Sequence, residues 1–384
     1  MILTNAKIYT MGSLGYIEKG FVKIDGTKIK KVGKMDDLKD LDDHIIDMHG
    51  KILYPGFIDT HTHLGMVEDS STFEGDDINE ASEPITPNLR AIDAINPMDR
   101  CFKEAINAGV TAVITGPGSS NPIAGQMVAI KTYGSRVDNM VIKDPVSIKF
   151  SLGENPKNTF NEKSQTPITR MAVAGLIREQ LSKAKRYLEE KEAFIQDNGS
   201  KPEFDSKNEA LLPLLKREIP GHFHAHRADD IFTAIRISKE FDIDYVIIHC
   251  SEGHLIADEL KKENTKVFSG PFLSDRSKPE LKNLTPKTPG VLAKNGIKTS
   301  IVTDHPVIPI QYLPVCASLA VREGMDPLEA LKAITINAAE LAGVDDRLGS
   351  IEENKDADIL IFDNDALDFK SKPVMIFIDG KRIK

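Results

Sequence analysis

Ten histidines are spread over 384 residues, yet three pairs of them stand two apart: His61/His63, His222/His224 and His224/His226. Random placement would give about 0.3 such pairs. In an extended strand, residues i and i+2 project from the same face. Each pair therefore aims two imidazoles at one place, an arrangement that suits a metal ion. The first pair follows the apolar run Phe57-Ile58 after the Pro55-Gly56 turn, and the triplet lies in "GHFHAH". Two more residues of ligand type end apolar runs: His249 after Tyr245 to Ile248, and Asp304 after "IVT". A buried carboxylate at a strand end needs a partner, which a metal or a water on it would supply. The structural alternative for Asp304 is a helix N-cap. Within the triplet His224 is the strongest ligand because it is central. His222 and His226 share its face, so parity does not separate them, and His226 is assigned to the substrate side.

Two residues could add an anionic bridge. Lys149 lies inside the strand-like "VSIKFSL", and Glu154 follows just beyond it. A buried ammonium is costly unless paired or chemically changed. A lysine that has taken up CO₂ is a carbamate able to bridge two metals, and Glu154 could bridge unmodified. Gly153 allows the bend that would bring the two to one side. Arg227 directly follows the histidine triplet and could clamp a substrate carboxylate; a salt bridge to Asp229 or Asp230 is the competing reading. "GPGSSNP" (116–122) could hold an anion on its backbone amides.

These residues need strands to hold them. Candidates in the middle of the chain are 56–63, 110–116, 126–134, 145–152, 221–226, 244–250, 266–271 and 298–304. Helix-patterned stretches separate several of them, which predicts a parallel (β/α)₈ TIM barrel of the α/β class with its ligands at the C-terminal strand ends. No helix pattern separates the third and fourth strands. Both chain ends instead read as short strands and turns, with Asp25-Gly26 marking a hairpin. The expected organisation is a barrel over 56–344 and a small β-sandwich domain built from 1–55 and 345–384.

Forty per cent hydrophobic and 28% charged residues are ordinary globular values. A formal net charge of −9 without a basic run argues against nucleic acid or anionic membrane as partners. No apolar run approaches a membrane span. Three cysteines without CxxC spacing fit reduced thiols in a cytoplasmic protein.

"KILYPGFIDTHTHLG", "HFHAHRADD", "VIIHC", "VTDHP" and "LGSIEENKDADILIFD" together resemble the metal-dependent amidohydrolase superfamily, within it the imidazolonepropionase-related group. "AITINAAELAGV" adds support. The resemblance implies the barrel and sandwich just described, and metal ligands His61, His63, His224, His249 and Asp304. It also implies a bridging anion, with Lys149 matching a carboxylated lysine and Glu154 a glutamate. A ligand set this rich departs from a one-metal imidazolonepropionase site and favours one or two divalent ions, zinc first, acting on another amide. The expected reaction is hydrolysis of an amide or cyclic amide C–N bond of a small molecule. Asp304 would take a proton from the attacking water and pass it to the leaving nitrogen. The alternatives are deamination of a heterocycle, deacetylation of an N-acetyl sugar, or a barrel that only binds. A homo-oligomer is compatible with all of these.

Overall fold

The computed structural model describes residues 1–39, 44–68, 72–196 and 199–384. Eight strands of the middle segment lie side by side in chain order. They are β1 (Phe57–Thr62), β2 (Val110–Thr115), β3 (Ile123–Lys131) and β4 (Val141–Ser151), then β5 (Gly221–Ala225), β6 (Tyr245–His249), β7 (Lys266–Ser269) and β8 (Thr299–Ile301). Every residue of β1, β2 and β5 is buried, as expected for strands covered on both faces. On the outside, Ile148, Phe150, Phe223 and Ile247 pack with Val173, Ile177 and Leu181 of the helix Arg170–Ile195. Inside, Ile58, Ala112, Ile114, Met127 and Val146 pack against Ala338 and Ala339 of the helix Ile336–Ala342. Leu341 of the same helix meets Val246, Ile248, Phe268 and Val302. The alanines of "AITINAAELAG" let this helix approach the sheet interior closely.

The sheet is TIM-barrel-like, but the all-parallel expectation needs correction at one strand. β3 runs antiparallel to both β2 and β4. Antiparallel neighbours can be joined by short turns, whereas parallel ones need a crossover. That is why no helix pattern separates the third and fourth strands in the sequence. The reversal also sorts two segments to opposite ends of the sheet. The 116–122 turn lies at the same end as the C-termini of β2 and β4. Lys131, the last residue of β3, lies at the other.

β8 meets β1 through side chains. Thr60 Oγ1 and Ser300 Oγ are 2.6 Å apart. Thr303 donates to Asp59 Oδ2 from its backbone N–H at 3.1 Å and its hydroxyl at 2.6 Å. The His63 N–H donates to the His305 carbonyl at 2.8 Å.

The two chain ends share a second sheet of eight strands. Ile52–Pro55 pairs antiparallel with Ile359–Phe362 and parallel with Ile2–Tyr9. Tyr16–Asp25 and Lys28–Lys34 form the hairpin marked by Asp25-Gly26, and Gly26 turns it with φ +57°. Leu3, Ile8, Val22, Leu53, Ile359, Ile361 and Phe377 form one core there. No described helix is long and apolar enough to cross a membrane. Cys101, Cys250 and Cys316 are all buried, and none is in a disulfide among the described residues.

Candidate metal centre

Two groups of ligand-type residues meet at the ends of the barrel strands. His61, His249 and Asp304 each offer an atom within 4.8 Å of the others, and so do His224, His226 and His249. His249 belongs to both, so the two groups form one continuous centre. His61 Nε2 is 3.2 Å and His63 Nε2 3.4 Å from Asp304 Oδ1. The His249 ring is 4.5 Å from that of His224 and stacks on that of His226 at 4.4 Å. All five rings are at least nine-tenths buried.

The backbone delivers two of these residues by breaking alternation. Val246 and Ile248 face the barrel interior while Ile247 faces the helices. Continued alternation would send His249 outward. It instead has φ +71°, Cys250 has φ +52°, and Asp304 has φ +54°. Non-glycine residues in this region cost about 1–3 kcal/mol each and cluster at functional sites.

The second ring nitrogens decide what the first ones can do. His63 Nδ1 lies 2.6 Å from the Gly116 carbonyl, and His249 Nδ1 2.8 Å from the Gly270 carbonyl. A carbonyl only accepts, so both Nδ1 atoms carry hydrogen, and in the neutral ring Nε2 keeps its lone pair. His224 Nδ1 contacts Ser119 Oγ at 2.9 Å, and His226 Nδ1 contacts Ser251 Oγ at 2.8 Å. Nε2 of His224 and of His249 is buried without a hydrogen-bond partner among the described residues. His63 Nε2 lies against a carboxylate oxygen, 3.4 Å from Asp304 Oδ1. Orphaned buried nitrogens gathered beside a carboxylate are the arrangement a divalent cation relieves; the residues present fit one.

The electrostatics agree. Burial, then the Lys149 ammonium, holds His61 well below the usual imidazole range. Burial, then His249, does the same for His224 and His226, and burial lowers His249 to about 4. Burial alone would raise Asp304, but His249 and the contacts from His61 and His63 hold it well below the usual carboxylate range. The chain thus presents neutral imidazoles and an ionised carboxylate, the protonation states that ligate metals.

The remaining sequence-based candidates fall out unevenly. Lys149 is fully buried, with Nζ 3.3 Å from His61 Nε2 and donating to Ser119 Oγ at 3.1 Å. Burial lowers it to about 8. Glu154 does not join the cluster. It opens the helix Glu154–Glu162 and its carboxylate accepts from Asn158 Nδ2 at 3.4 Å, so the bend at Gly153 leads into a helix and away from the centre. Arg227 pairs with Asp229, at 3.0 and 2.7 Å, the local salt bridge that was the competing reading. His226 lies beside His224 and His249 at the strand ends. His222 is fully buried against Phe268, deeper in the barrel. The "GPGSSNP" turn is no anion cradle. The N–H groups of Gly116, Gly118 and Ser120 are taken by Thr62, Ile78 and Asn79, and the turn supplies the hydrogen-bond partners of His63 Nδ1 and His224 Nδ1. Residues 69–71 of the long 65–100 loop lie outside the described residues.

Several participants carried no sequence signal. Ser119 touches both Lys149 and His224. Asp59, which burial raises to about 7, anchors Thr303 directly before Asp304. Glu280 is 1% exposed, with Oε1 3.7 Å from Nε2 of both His224 and His226. It comes from the short 3₁₀ turn Pro279–Leu281 in the β7–β8 connection, where nothing in the sequence distinguishes it from a surface glutamate.

Residues 221–383 match the model of the amidohydrolase family. The chain is 28% identical over 359 residues to the amidohydrolase tasK of Hapsidospora irregularis, covering 88% of this chain but only 37% of that protein's length. It is 25% identical to an imidazolonepropionase of Thermoplasma volcanium, covering 92% of this chain and 86% of the relative. The crystal structure of an amidohydrolase from Thermotoga maritima MSB8 superposes with a TM-score of 0.95 at 40% identity, covering 100% of this chain and 99% of that one. Similarity of that extent, end to end, makes this chain a member of the metal-dependent amidohydrolase superfamily.

Proposed function

We propose that this protein hydrolyses the C–N bond of an amide or cyclic amide in a small molecule at a centre of divalent cations, zinc being the expected ion. One observation carries the reading: His63 and His249 are fixed by backbone carbonyls so that their Nε2 lone pairs point, with His61, His224 and Asp304, into one buried space. Under this reading His61, His63, His224, His249 and Asp304 hold metal. A bound divalent cation supplies Lewis acidity, which polarises a carbonyl and makes water a stronger acid. Asp304 is the residue assigned to proton movement. It is the carboxylate at the centre, 3.2 and 3.4 Å from His61 and His63, and one of its oxygens would accept a proton from water and return it to the leaving nitrogen. Lys149 is assigned as the site of carboxylation, because its amine is buried beside His61 with no carboxylate contact among the described residues. Residues 1–55 and 345–384 are taken as a β-sandwich domain bracing the barrel, and three buried cysteines outside any disulfide favour the cytoplasm.

The test combines metal analysis of the purified protein with a screen of N-acyl amino acids, dipeptides, hydantoins and lactams, with aminated heterocycles beside them. Chelation should abolish turnover and zinc should restore it. His61→Ala should lower bound metal and reduce turnover by at least ~10³-fold, as loss of a metal-activated nucleophile implies. Full turnover by metal-free protein would overturn the proposal.

A further inference from the structure

We infer that Asp59 is a positioning residue for the cation centre: its carboxylate latches the seam of the barrel and so sets His61, His63 and Asp304 against one another. This rests on the cation-centre reading above and extends it to residues that hold no ion themselves. The sheet is laddered from β1 round to β8, but among the described residues no strand pairing joins β8 back to β1. His61 and His63 stand on one side of that seam and Asp304 on the other. Their separations, 3.2 and 3.4 Å, are therefore set by the bonds that cross the seam and not by a ladder.

Asp59 uses both of its oxygens there. Oδ1 accepts the His61 N–H at 3.2 Å, while Oδ2 accepts the Thr303 N–H at 3.1 Å and the Thr303 hydroxyl at 2.6 Å. All three partners donate, and an ionised carboxylate only accepts, on two oxygens. The link continues past Asp304. Thr303 Oγ1 accepts the His305 N–H at 3.2 Å, and the His305 carbonyl accepts the His63 N–H at 2.8 Å. Both chain neighbours of Asp304 are thus tied to the segment that carries the two histidines. Asp304 itself has φ +54°, and a conformation of that kind persists only where its surroundings impose it. The ties at Thr303 and His305 grip it from either side. Asp59 and Thr303 are both 0% exposed, so bulk water does not compete for these bonds. One carboxylate therefore fixes the backbone of a ligand-type histidine and, through Thr303, the turn that aims the ligand-type aspartate.

The experiment measures zinc affinity by equilibrium dialysis and records the visible absorption of the cobalt(II)-loaded protein, which reports the geometry around the ion. Asp59→Asn keeps the shape of the side chain, but its amide sets a donor against the donors of His61 or Thr303. Zinc affinity should fall roughly 10- to 100-fold, the range for groups that orient ligands, and the cobalt absorption should change. Thr303→Val removes the hydroxyl and keeps both backbone bonds to Asp59, so it should lose affinity in the same direction. Thr303→Ser restores the hydroxyl and should match wild type. The Asp59→Asn, Thr303→Val double variant should lose no more than the two single losses combined, and less if the groups act as one link. Circular dichroism selects the folded variants. A residue that only stabilised the fold would leave folded protein with wild-type affinity and absorption. Asp59→Asn decides the question if it folds, and Thr303→Val decides it if Asp59→Asn does not. Wild-type affinity and absorption in the deciding variant overturn the inference and leave the hydrolase reading standing. A wild-type protein that binds no cation ends that reading and this inference with it.

Discussion

Asp304→Asn should lower kcat by ~10³-fold, within the range assigned to a positioned proton-transfer group, while changing KM by only a few-fold. Asparagine matches the size of the carboxylate and keeps an oxygen toward His61 and His63, now 3.2 and 3.4 Å away. It loses the charge and the ability to take a proton. The substitution is also gentle on the backbone. Asp304 has φ +54°, a region that asparagine enters more easily than other non-glycine residues, so Asp304→Ala would confuse strain with chemistry. Kinetics should be measured on the best substrate of the screen at saturating zinc, with bound metal counted in the same samples. That separates a lost base from a lost ligand, since an amide oxygen ligates more weakly than a carboxylate. A loss confined to KM would mean that Asp304 serves ground-state binding alone. Turnover within tenfold of wild type, with metal bound, would move the proton-transfer role to another residue.

The parts of this site that were legible in the sequence are those that obey period two. His61 and His63, and His222, His224 and His226, sit two apart at the ends of buried runs. His249 and Asp304 could be located by the apolar runs before them, but their orientation could not, because both depend on positive φ. Parity alone would have sent His249 to the helix side of the sheet. The antiparallel β3 was hidden for a related reason. Its composition is that of any buried strand, and direction is set by the connections. The missing helix before the fourth strand was the visible trace of it. That reversal also explains why "GPGSSNP" is not the anion site its glycines suggest, since only an antiparallel β3 places this turn where Gly116 and Ser119 meet His63 and His224. Glu280 was out of reach altogether. It is a glutamate in a polar connection, and only the tertiary fold makes it 1% exposed. Glu154 shows the opposite failure, a suitable residue at a suitable distance along the chain that a helix start carries elsewhere.

Lys131→Met should cost the largest share of stability of any single change away from the metal centre, about 3–5 kcal/mol, the range for stripping a buried ion pair of one partner. Because β3 runs backward, its last residue reaches the far end of the barrel and meets the terminal strands. Lys131 Nζ is 2.8 Å from Asp358, 3.1 Å from Asp356 and 3.1 Å from Asp379. Lys28 and Arg347 join at Asp356, at 2.7 and 2.9 Å, so three cations face three carboxylates. Burial opposes the Lys131 ammonium, but the carboxylates around it more than offset that and raise its pKa. At Asp358 burial wins and the pKa is raised, whereas at Asp356 Lys131 and Lys28 prevail over burial and lower it. Methionine fills the volume and leaves Asp358 and Asp356 facing each other in a dry interior. These shifts set the sign of the pH dependence. Asp356 is depressed in the folded wild type, so its stabilisation is present above the ordinary carboxylate range and is lost as pH falls through it. Without Lys131 the folded-state pKa of Asp358 rises further, and protonation then relieves the variant. The deficit of Lys131→Met should therefore be widest near pH 8 and narrow toward pH 4, as read by urea unfolding at each pH. Adding Asp358→Asn should restore part of the loss, since the two residues share one network. An unfolding midpoint for Lys131→Met equal to that of wild type at pH 8 would show that the remaining cations, Lys28 and Arg347, suffice to hold the terminal strands against the barrel.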